Sequence, residues 1–241
     1  LAEQMHSVYL ASLPEAELNI NSLIAYVGGA DLKSYQTRML AAGDRINING
    51  FSKILPGSYK LLLQYISMFR NKSAEFAPNF GLAHGVVGVS NLVQDFTKPE
   101  REKLLDYHIE SLKGGVVTEY YINRNDTAQK AKSYMSEDQN VRMTNIAVHL
   151  CEDNLKQYIG ELNTAVLRDL VQTRLTTAIQ DRLFKGKSYA PAMYRVVCDD
   201  SNNPLSVIEQ NQLVVSLYAS FTPSIQYVLV DHFIVPLSQV Q

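Results

Sequence analysis

The sequence predicts an α/β (α+β) fold: a mixed β-sheet with a βαβ unit, two long helices and a C-terminal antiparallel strand pair. Three observations predict it. A helix-start signature at Thr97-Lys98-Pro99-Glu100 lies between two short β-branched runs. Apolar residues recur at helical spacing from Asn140 to Tyr158 and from Asn163 to Lys185. The tail then switches to alternation, a strand period, from Tyr194 onward.

The opening 76 residues read as a mostly helical segment that packs on the core formed by residues 77–241. Leu1 to Leu13 reads as a helix that Pro14 ends, and Asn19 to Val27 as an apolar run of either type. Asp31 is placed to cap a helix to about Ala42, with Gly43 as its stop. After Pro56-Gly57, Ser58 to Arg70 has too many apolar residues for a solvated helix and is expected to be packed. Gly85 to Val89 reads as a short buried strand. The capped helix runs to about Lys113, and Val116 to Ile122 returns as a strand, completing a parallel βαβ unit.

The stripe Met143, Ile146, Ala147, Leu150 and Leu155 defines the first long helix. Asn163 caps the second, whose buried face carries Val166, Leu167, Leu170, Val171, Leu175, Ala178, Ile179 and Leu183 over about five turns. Tyr194, Val196 and Cys198 share one strand face. Residues 213–221 and 225–235 alternate on either side of Thr222-Pro223-Ser224 and are expected to pair antiparallel.

Composition narrows the function classes. Apolar residues make up 46% and charged residues 19% of the 241, an ordinary globular balance. A net charge of −2 offers no basic excess, so no nucleic-acid partner is expected. No apolar run reaches the roughly 18 residues of a membrane span, so no membrane partner is expected either. Cys151 and Cys198 form no metal-binding pair, and the five histidines are scattered, so neither a metal nor a cofactor is expected. Counting alone leaves a disulfide open; two buried free thiols are the expectation. The chain begins at Leu1 without an initiator Met, which suggests a piece of a longer protein.

No constellation argues for catalysis. The glycine-rich run Gly81 to Gly88 lacks the Lys-Ser/Thr of a phosphate loop, and its glycines precede or lie within the strand. His84 has no nucleophile and acid in recognisable company, His108 sits among Asp106 and Glu110, and His149 borders an apolar stripe. Asp231 and His232 are adjacent in a strand and point to opposite faces. Glu100, Arg101, Glu102, Lys103 and Asp106 make a mixed-charge surface suited to solvent or to a sliding contact.

The order of motifs from residue 77 onward resembles the conserved domain of contractile phage tail sheath proteins. Ala77-Pro78-Asn79-Phe80-Gly81 followed by Gly85-Val86-Val87-Gly88 resembles the turn into that domain's first strand. Asn140-Val141-Arg142 is similar to a sheath helix start, with Met143 in place of a second arginine. Glu161-Leu162-Asn163 with Leu167-Arg168 is similar to the entry of the long helix. Cys198-Asp199, then Asn203-Pro204, then Gln212-Leu213-Val214-Val215 resembles the sheath pattern of strand, turn and return strand. Pro223 and residues 225–228 are similar to its last strand, with Gln226 and Tyr227 replacing Glu-Phe. Residues 1–76 match loosely, and the divergence resembles that of giant phiKZ-like Pseudomonas phages.

The resemblance implies a structural subunit and no enzyme. It implies copies of the chain stacked in a six-fold helical sheath around a tail tube protein, with baseplate and tail terminator proteins at the ends. The location implied is the virion tail, with the host cytoplasm during assembly. Sheath subunits exchange terminal arm strands, and Leu213, Val215, Leu217, Tyr227 and Leu229 mark the expected platform for that exchange. If the arms precede Leu1, the isolated chain is expected to be monomeric. Two rivals stand beside this reading. One is the sheath of a related bacteriocin or secretion machine. The other is a small-molecule α/β enzyme using Ser90-Asn91 and Asn123 to Asp126 at strand ends.

Overall fold

The computed structural model describes residues 8–13, 19–29, 34, 36–41, 44–48, 51–71, 74–89, 92–114, 119–129 and 133–225. Its elements in chain order are β1 (Tyr9–Ser12), α1 (Ile20–Gly29), β2 (Thr37–Ala41), β3 (Asp44–Ile48), β4 (Phe51–Leu55), α2 (Gly57–Arg70) and α3 (Gly81–His84). Then come β5 (Val86–Val87), α4 (Lys98–Leu105), β6 (Glu110–Gly114), β7 (Tyr120–Ile122), α5 (Asp138–Leu155), α6 (Ala165–Ile179), β8 (Met193–Val197), α7 (Leu205–Ile208) and β9 (Ser216–Ser220).

Five strands form one mixed sheet in the order β1-β2-β6-β7-β5. The β1–β2 and β2–β6 pairs are parallel, and β7 is antiparallel to both β6 and β5. The sheet crosses the expected boundary at residue 76, since β1 and β2 precede it and the other three strands follow. Met39 and Ala41 of β2 join α1 and α4 in one apolar cluster, while Leu40 joins Leu61 and Tyr65 of α2 in another. The alternation of a strand thus puts helices on both faces.

The early helices expected from sequence are corrected in two places. Tyr9 to Ser12 is a strand, paired with Thr37 to Leu40, and residues 1–7 of that expected helix lie outside the described residues. Thr37 to Ala41 is a strand too, where the Asp31 helix was expected; Asp31 itself lies outside the described residues. All five β2 residues are buried. A strand covered on both faces has no polar alternation to betray it.

The βαβ unit is also relocated. Val86–Val87 and Tyr120–Ile122 are antiparallel neighbours, and the parallel β–helix–β step is β1-α1-β2. The cause is the end of α4. Thr97 and Glu100 close its start as the sequence implies, with the carboxylate accepting from the Thr97 N–H at 2.7 Å and its hydroxyl at 2.8 Å. The helix stops at Leu105, however, rather than near Lys113. His108 takes φ 59°, the Ile109 N–H bonds the Leu104 carbonyl and the His108 N–H bonds the Leu105 carbonyl. That is a Schellman stop with histidine in the left-handed position usually held by glycine. Glu110 to Leu112 then enter the sheet fully buried. Residues 115–118 of the expected Val116 strand lie outside the described residues.

The second half is built as expected around two helices. α5 and α6 pack with β8 over a core of Met143, Ala147, Cys151, Val171, Leu175, Ile179, Leu183, Val196, Cys198 and Phe221. Both cysteines are buried and free. Thr164, not Asn163, caps α6 by accepting the Leu167 N–H at 3.2 Å. The helix continues into a π-type turn, Gln180–Phe184. Its buried stripe is narrower than expected, because Val166 is 80% and Leu170 53% exposed. α2 is likewise packed on one side only: Leu61, Tyr65 and Met68 are buried, while Tyr59, Leu62, Leu63, Ile66 and Phe69 stay 40–48% exposed.

The C-terminal antiparallel pair is formed by β8 and β9, from Met193 opposite Ser220 to Val197 opposite Ser216. Ile225 is the last described residue, so the expected strand 225–235, with Tyr227 and Leu229, lies outside the described residues apart from that one position. The return strand begins at Ser216, three residues later than the alternation from Leu213 implies. Leu213, Val215 and Leu217 all pack, half-buried, against the C-terminal core.

Candidate functional site

Two features stand out: a charged cluster buried where the sheet meets α5, and the exposed strand pair at the far side of the C-terminal core. The cluster starts from Arg38, whose position in the middle of β2 leaves its side chain with 0% exposure. A buried guanidinium is tolerated only with partners for its charge and its N–H groups. Arg38 Nη2 reaches both Glu110 carboxylate oxygens, at 2.7 and 2.6 Å, from the neighbouring strand β6. Its Nη1 donates to the Tyr65 hydroxyl at 3.1 Å and lies 3.5 Å from Asp138. Tyr65 in turn donates to Asp138.

Asp138 opens α5, and one turn later Arg142 Nε donates to it at 2.8 Å. The rest of the Arg142 guanidinium donates to the Glu75 carbonyl and, at 2.8 Å, to the Ala77 carbonyl. Glu75 sits on the same loop and accepts from Arg182 Nη1 at 2.9 Å and Lys187 Nζ at 2.6 Å. One chain of contacts therefore runs from β6 through β2, α2, α5 and the 74–80 loop to the end of α6.

Burial pushes the Glu110 carboxyl up, to about 8, against the opposing pull of Arg38. Burial alone would also raise Asp138, but Arg142 and Arg38 beside it hold its carboxyl below the usual range. Burial raises Tyr65 well above the ordinary phenol range. Glu75 feels burial as well, and the hydrogen bonds from Arg182 and Lys187 outweigh it, leaving that carboxyl low. Arg38, Glu110 and Asp138 at its centre are fully buried, and the contacts join the sheet, α2, α5 and the 74–80 loop as a clamp.

The residues singled out from sequence divide between this clamp and the strand pair. Pro78 belongs to the loop held by Arg142, and Gly81, which opens α3 directly after it, has φ 70°, a conformation that favours glycine. A Cβ on Gly85 would stand 2.4 Å from Phe80 Cα, so only glycine fits there. The Gly88 carbonyl accepts from Lys60, which also pairs with Asp44 at 2.7 Å. Asn140 donates to the Tyr134 carbonyl at 2.7 Å, Val141 is fully buried, and Arg142 is the pin just described. Asn163 donates to the Gln212 carbonyl at 2.7 Å and accepts from Arg168 at 2.8 Å, which ties the start of α6 to the approach of β9.

The Cys198 N–H bonds the Gln172 side chain at 2.8 Å, Asp199 accepts from the Ser201 N–H, Asn203 is buried, and Pro204 precedes α7. Arg38, Tyr65, Glu75 and Glu110 were not anticipated. The Asp138–Arg142 pair has the i,i+4 spacing of a helix, a signal that a helix read only from Asn140 leaves out.

The groups considered for catalysis are occupied or dispersed. His84 shares a hydrogen bond with the Tyr189 hydroxyl at 2.6 Å, His108 is the α4 stop, and His149 lies 3.4 Å from Glu152. Asp126 pairs with Arg124 at 2.9 Å, and Asn123 accepts the Ser111 N–H at 3.1 Å. Ser90, Asn91, Asp231 and His232 lie outside the described residues. Among the described residues no group of three or more His, Cys, Asp or Glu side chains is placed to hold a metal ion, and no helix is long and apolar enough to cross a membrane.

A body of this kind, with a sheet covered by helices on both faces, an internal ionic clamp and a small separate strand pair, has the character of a building block for larger assemblies. Comparison with known proteins agrees with that class. The chain is 26% identical over 146 residues to the tail sheath protein of Vibrio phage KVP40, and 27% identical over 146 residues to that of Enterobacteria phage T4. Each match takes in 61% of this chain, but only 21% and 22% of the relative, so the chain spans about a fifth of the length of the curated relatives it matches. No protein-family profile matches the chain.

Solved structures extend the likeness to nearly the whole chain. A sheath complex of the PVC extracellular contractile injection system in its contracted state superposes with a TM-score of 0.73 at 14% identity, over 95% of this chain and 64% of that one. The anti-feeding prophage (AFP) baseplate gives 0.72 at 14% identity, over 95% and 60%, and the contracted AFP helical sheath gives 0.70 at 15%, over 94% and 61%. The chain is a sequence relative of contractile phage tail sheath proteins and carries the contractile sheath fold, residues 1–76 largely included. The matched relatives leave the phiKZ-like likeness as an expectation.

Two measurements probe the clamp. Arg142→Met leaves Asp138 with one fewer partner and two loop carbonyls unpaired, and is expected to cost about 3–5 kcal/mol in urea unfolding. Glu110 has a folded pKa above its unfolded value, so the folded state holds the proton longer and this group adds stability as pH falls from about 8 toward the ordinary carboxylate range. The urea midpoint of Glu110→Gln is therefore expected to vary less between pH 8.5 and 5.5 than that of the parent chain.

Proposed function

We propose that the chain is the assembly body of a contractile tail sheath subunit, one that polymerises around the tail tube and contracts by rigid-body rearrangement. The observation that carries this reading is the β8–β9 pair, a two-stranded sheet with no further strand partner among the described residues, on a body with the contractile sheath fold. Two strands alone offer open N–H and C=O rows on both outer edges, and a partner strand satisfies them. Leu213, Val215 and Leu217 anchor that platform to the core, so a neighbour's arm pulls on a fixed support. Tyr227 and Leu229 belong to the proposed exchange segment.

The clamp supplies the other mechanical requirement. A subunit that moves as a rigid body between two packings must not yield internally. Arg38, Asp138 and Arg142 lock the sheet to α5, and Glu75 locks the loop to the end of α6. Contraction then consists of changed contacts between bodies joined by exchanged strands, and it requires no catalytic residue. Further contact surface is offered by the apolar outer face of α2 and by Ile159, Leu162 and Val166, each at least 80% exposed.

The partners proposed are copies of the chain in a six-fold sheath, the tube, and baseplate and terminator proteins. The place is the virion tail, after assembly in the host cytoplasm, and the outcome is genome ejection. A second reading, the sheath of a related injection machine, is favoured by the AFP and PVC structures, and neighbouring genes for capsid or toxin distinguish the two. They also test a phiKZ-like source.

Two outcomes are expected. The full-length protein cut after Ile225 remains folded by circular dichroism but forms no striated tubes in negative-stain electron microscopy; normal tubes would overturn strand exchange through that segment. The 241-residue chain alone is monomeric by light scattering at micromolar concentration, whereas spontaneous tubes would show that it carries complete arms.

A further inference from the structure

We infer that Asn203, assisted by Asn202, is a positioning residue that fixes the register and the length of the strand edge offered to a second copy; this rests on the strand-exchange reading above. Asn203 is 2% exposed, and its amide acts as a strand residue would. Its Oδ1 accepts the Val214 N–H at 2.7 Å and its Nδ2 donates to the Val214 carbonyl at 2.9 Å. Asn202 Nδ2 lies 2.8 Å from the Val197 carbonyl, 3.1 Å from that of Val214 and 3.1 Å from the Ser216 hydroxyl. The turn that carries both is itself closed, since Asn202 Oδ1 accepts the Asp199 N–H at 3.0 Å and Asn203 Nδ2 donates to the Asp199 carbonyl at 3.2 Å.

The consequence lies in the ladder. Val197 opposite Ser216 is its last rung. The next aligned positions in the same register are Cys198 with Val215 and Asp199 with Val214, but the Asn203 side chain already holds both main-chain groups of Val214. The ladder therefore stops at five residues, about 17 Å. Leu213, Val215 and Leu217 alternate well enough to continue a strand, and loss of the Asn203 amide frees both main-chain groups of Val214 for extension or a one-residue slip. A slip by one exchanges the two faces of β9. It would turn Leu217 out of the core and present an incoming strand with a shifted row of donors and acceptors.

Register is read by cross-linking. Arg195 and Tyr218 oppose one another, both exposed, so the R195C/Y218C double variant of the 241-residue chain is expected to form a disulfide under mild oxidation, mapped by peptide mass spectrometry. Adding Asn203→Ala is expected to lower that yield several-fold while far-ultraviolet circular dichroism stays unchanged. Asn203→Asp, which keeps the acceptor for the Val214 N–H, is expected to restore part of it, and serves as the informative variant if Asn203→Ala does not fold. Undiminished cross-linking in both variants overturns the inference. In the full-length protein, Asn203→Ala is expected to form fewer tubes. Lost cross-linking with normal tubes would leave the register assignment standing and overturn strand exchange at this edge.

Discussion

The Asp138 carboxylate is the constraint on which the arrangement of the molecule depends. It receives Arg142 from its own helix, Tyr65 from α2, and the charge of Arg38 from the sheet. The apolar clusters do not do this work. Two of them draw only on residues 8–128, and the third draws on residues 143–221 with Phe76 as its one member from the first half. Between the halves the bonds are mostly polar: Asn145 to Gln36 at 3.1 Å and Asn125 to Gln139 at 2.6 Å, besides the clamp itself. Apolar contact is permissive about angle, whereas bidentate and two-ended hydrogen bonds are not. The seam thus sets orientation, and the cores set stability within each half.

That division suits a lattice subunit. Its partners act at the edges, at β8–β9 and on the half-exposed helices, and force introduced there passes through the C-terminal core to α5 and α6. From these helices it reaches the sheet through Arg142 and through Arg182 with Glu75. The 74–80 loop is held from both sides, which explains why a segment without regular structure contains buried Phe76, Ala77 and Asn79. Phe76 also lies under the cations of Arg182 and Lys187, at 5.9 and 5.4 Å from its ring centre.

Much of this was legible locally. The start of α4 follows from Thr97 and Glu100, the span of α2 from its apolar density, and α5, α6 and β8 from their periods, because each signal lies within a few residues. The rest depends on partners remote in sequence. Arg38 and Glu110 stand 72 residues apart and each was assigned to a helix, since a charged residue in a short run does not announce a buried strand. The early stop of α4 rests on His108 adopting a left-handed conformation, which glycine signals and histidine does not. The late start of β9 rests on an amide eleven residues away. The strand pair was recognised as an element, and β9 pairs with residues 193–197, while the expected partner, residues 225–235, lies outside the described residues apart from Ile225.

The π-type turn after Ile179 has a geometric consequence. Val171, Leu175, Ile179 and Leu183 follow one another at intervals of four, and an ordinary helix overshoots such a series by about 40° at each step. By Leu183 the accumulated rotation would carry the side chain off the seam that Val171 begins. A wider turn absorbs the excess by spending an additional residue per revolution. Leu183 consequently stays at 0% exposure while Arg182, next to it, faces Glu75. The angular phase of one short turn thereby keeps both the apolar seam and its ionic neighbour in place.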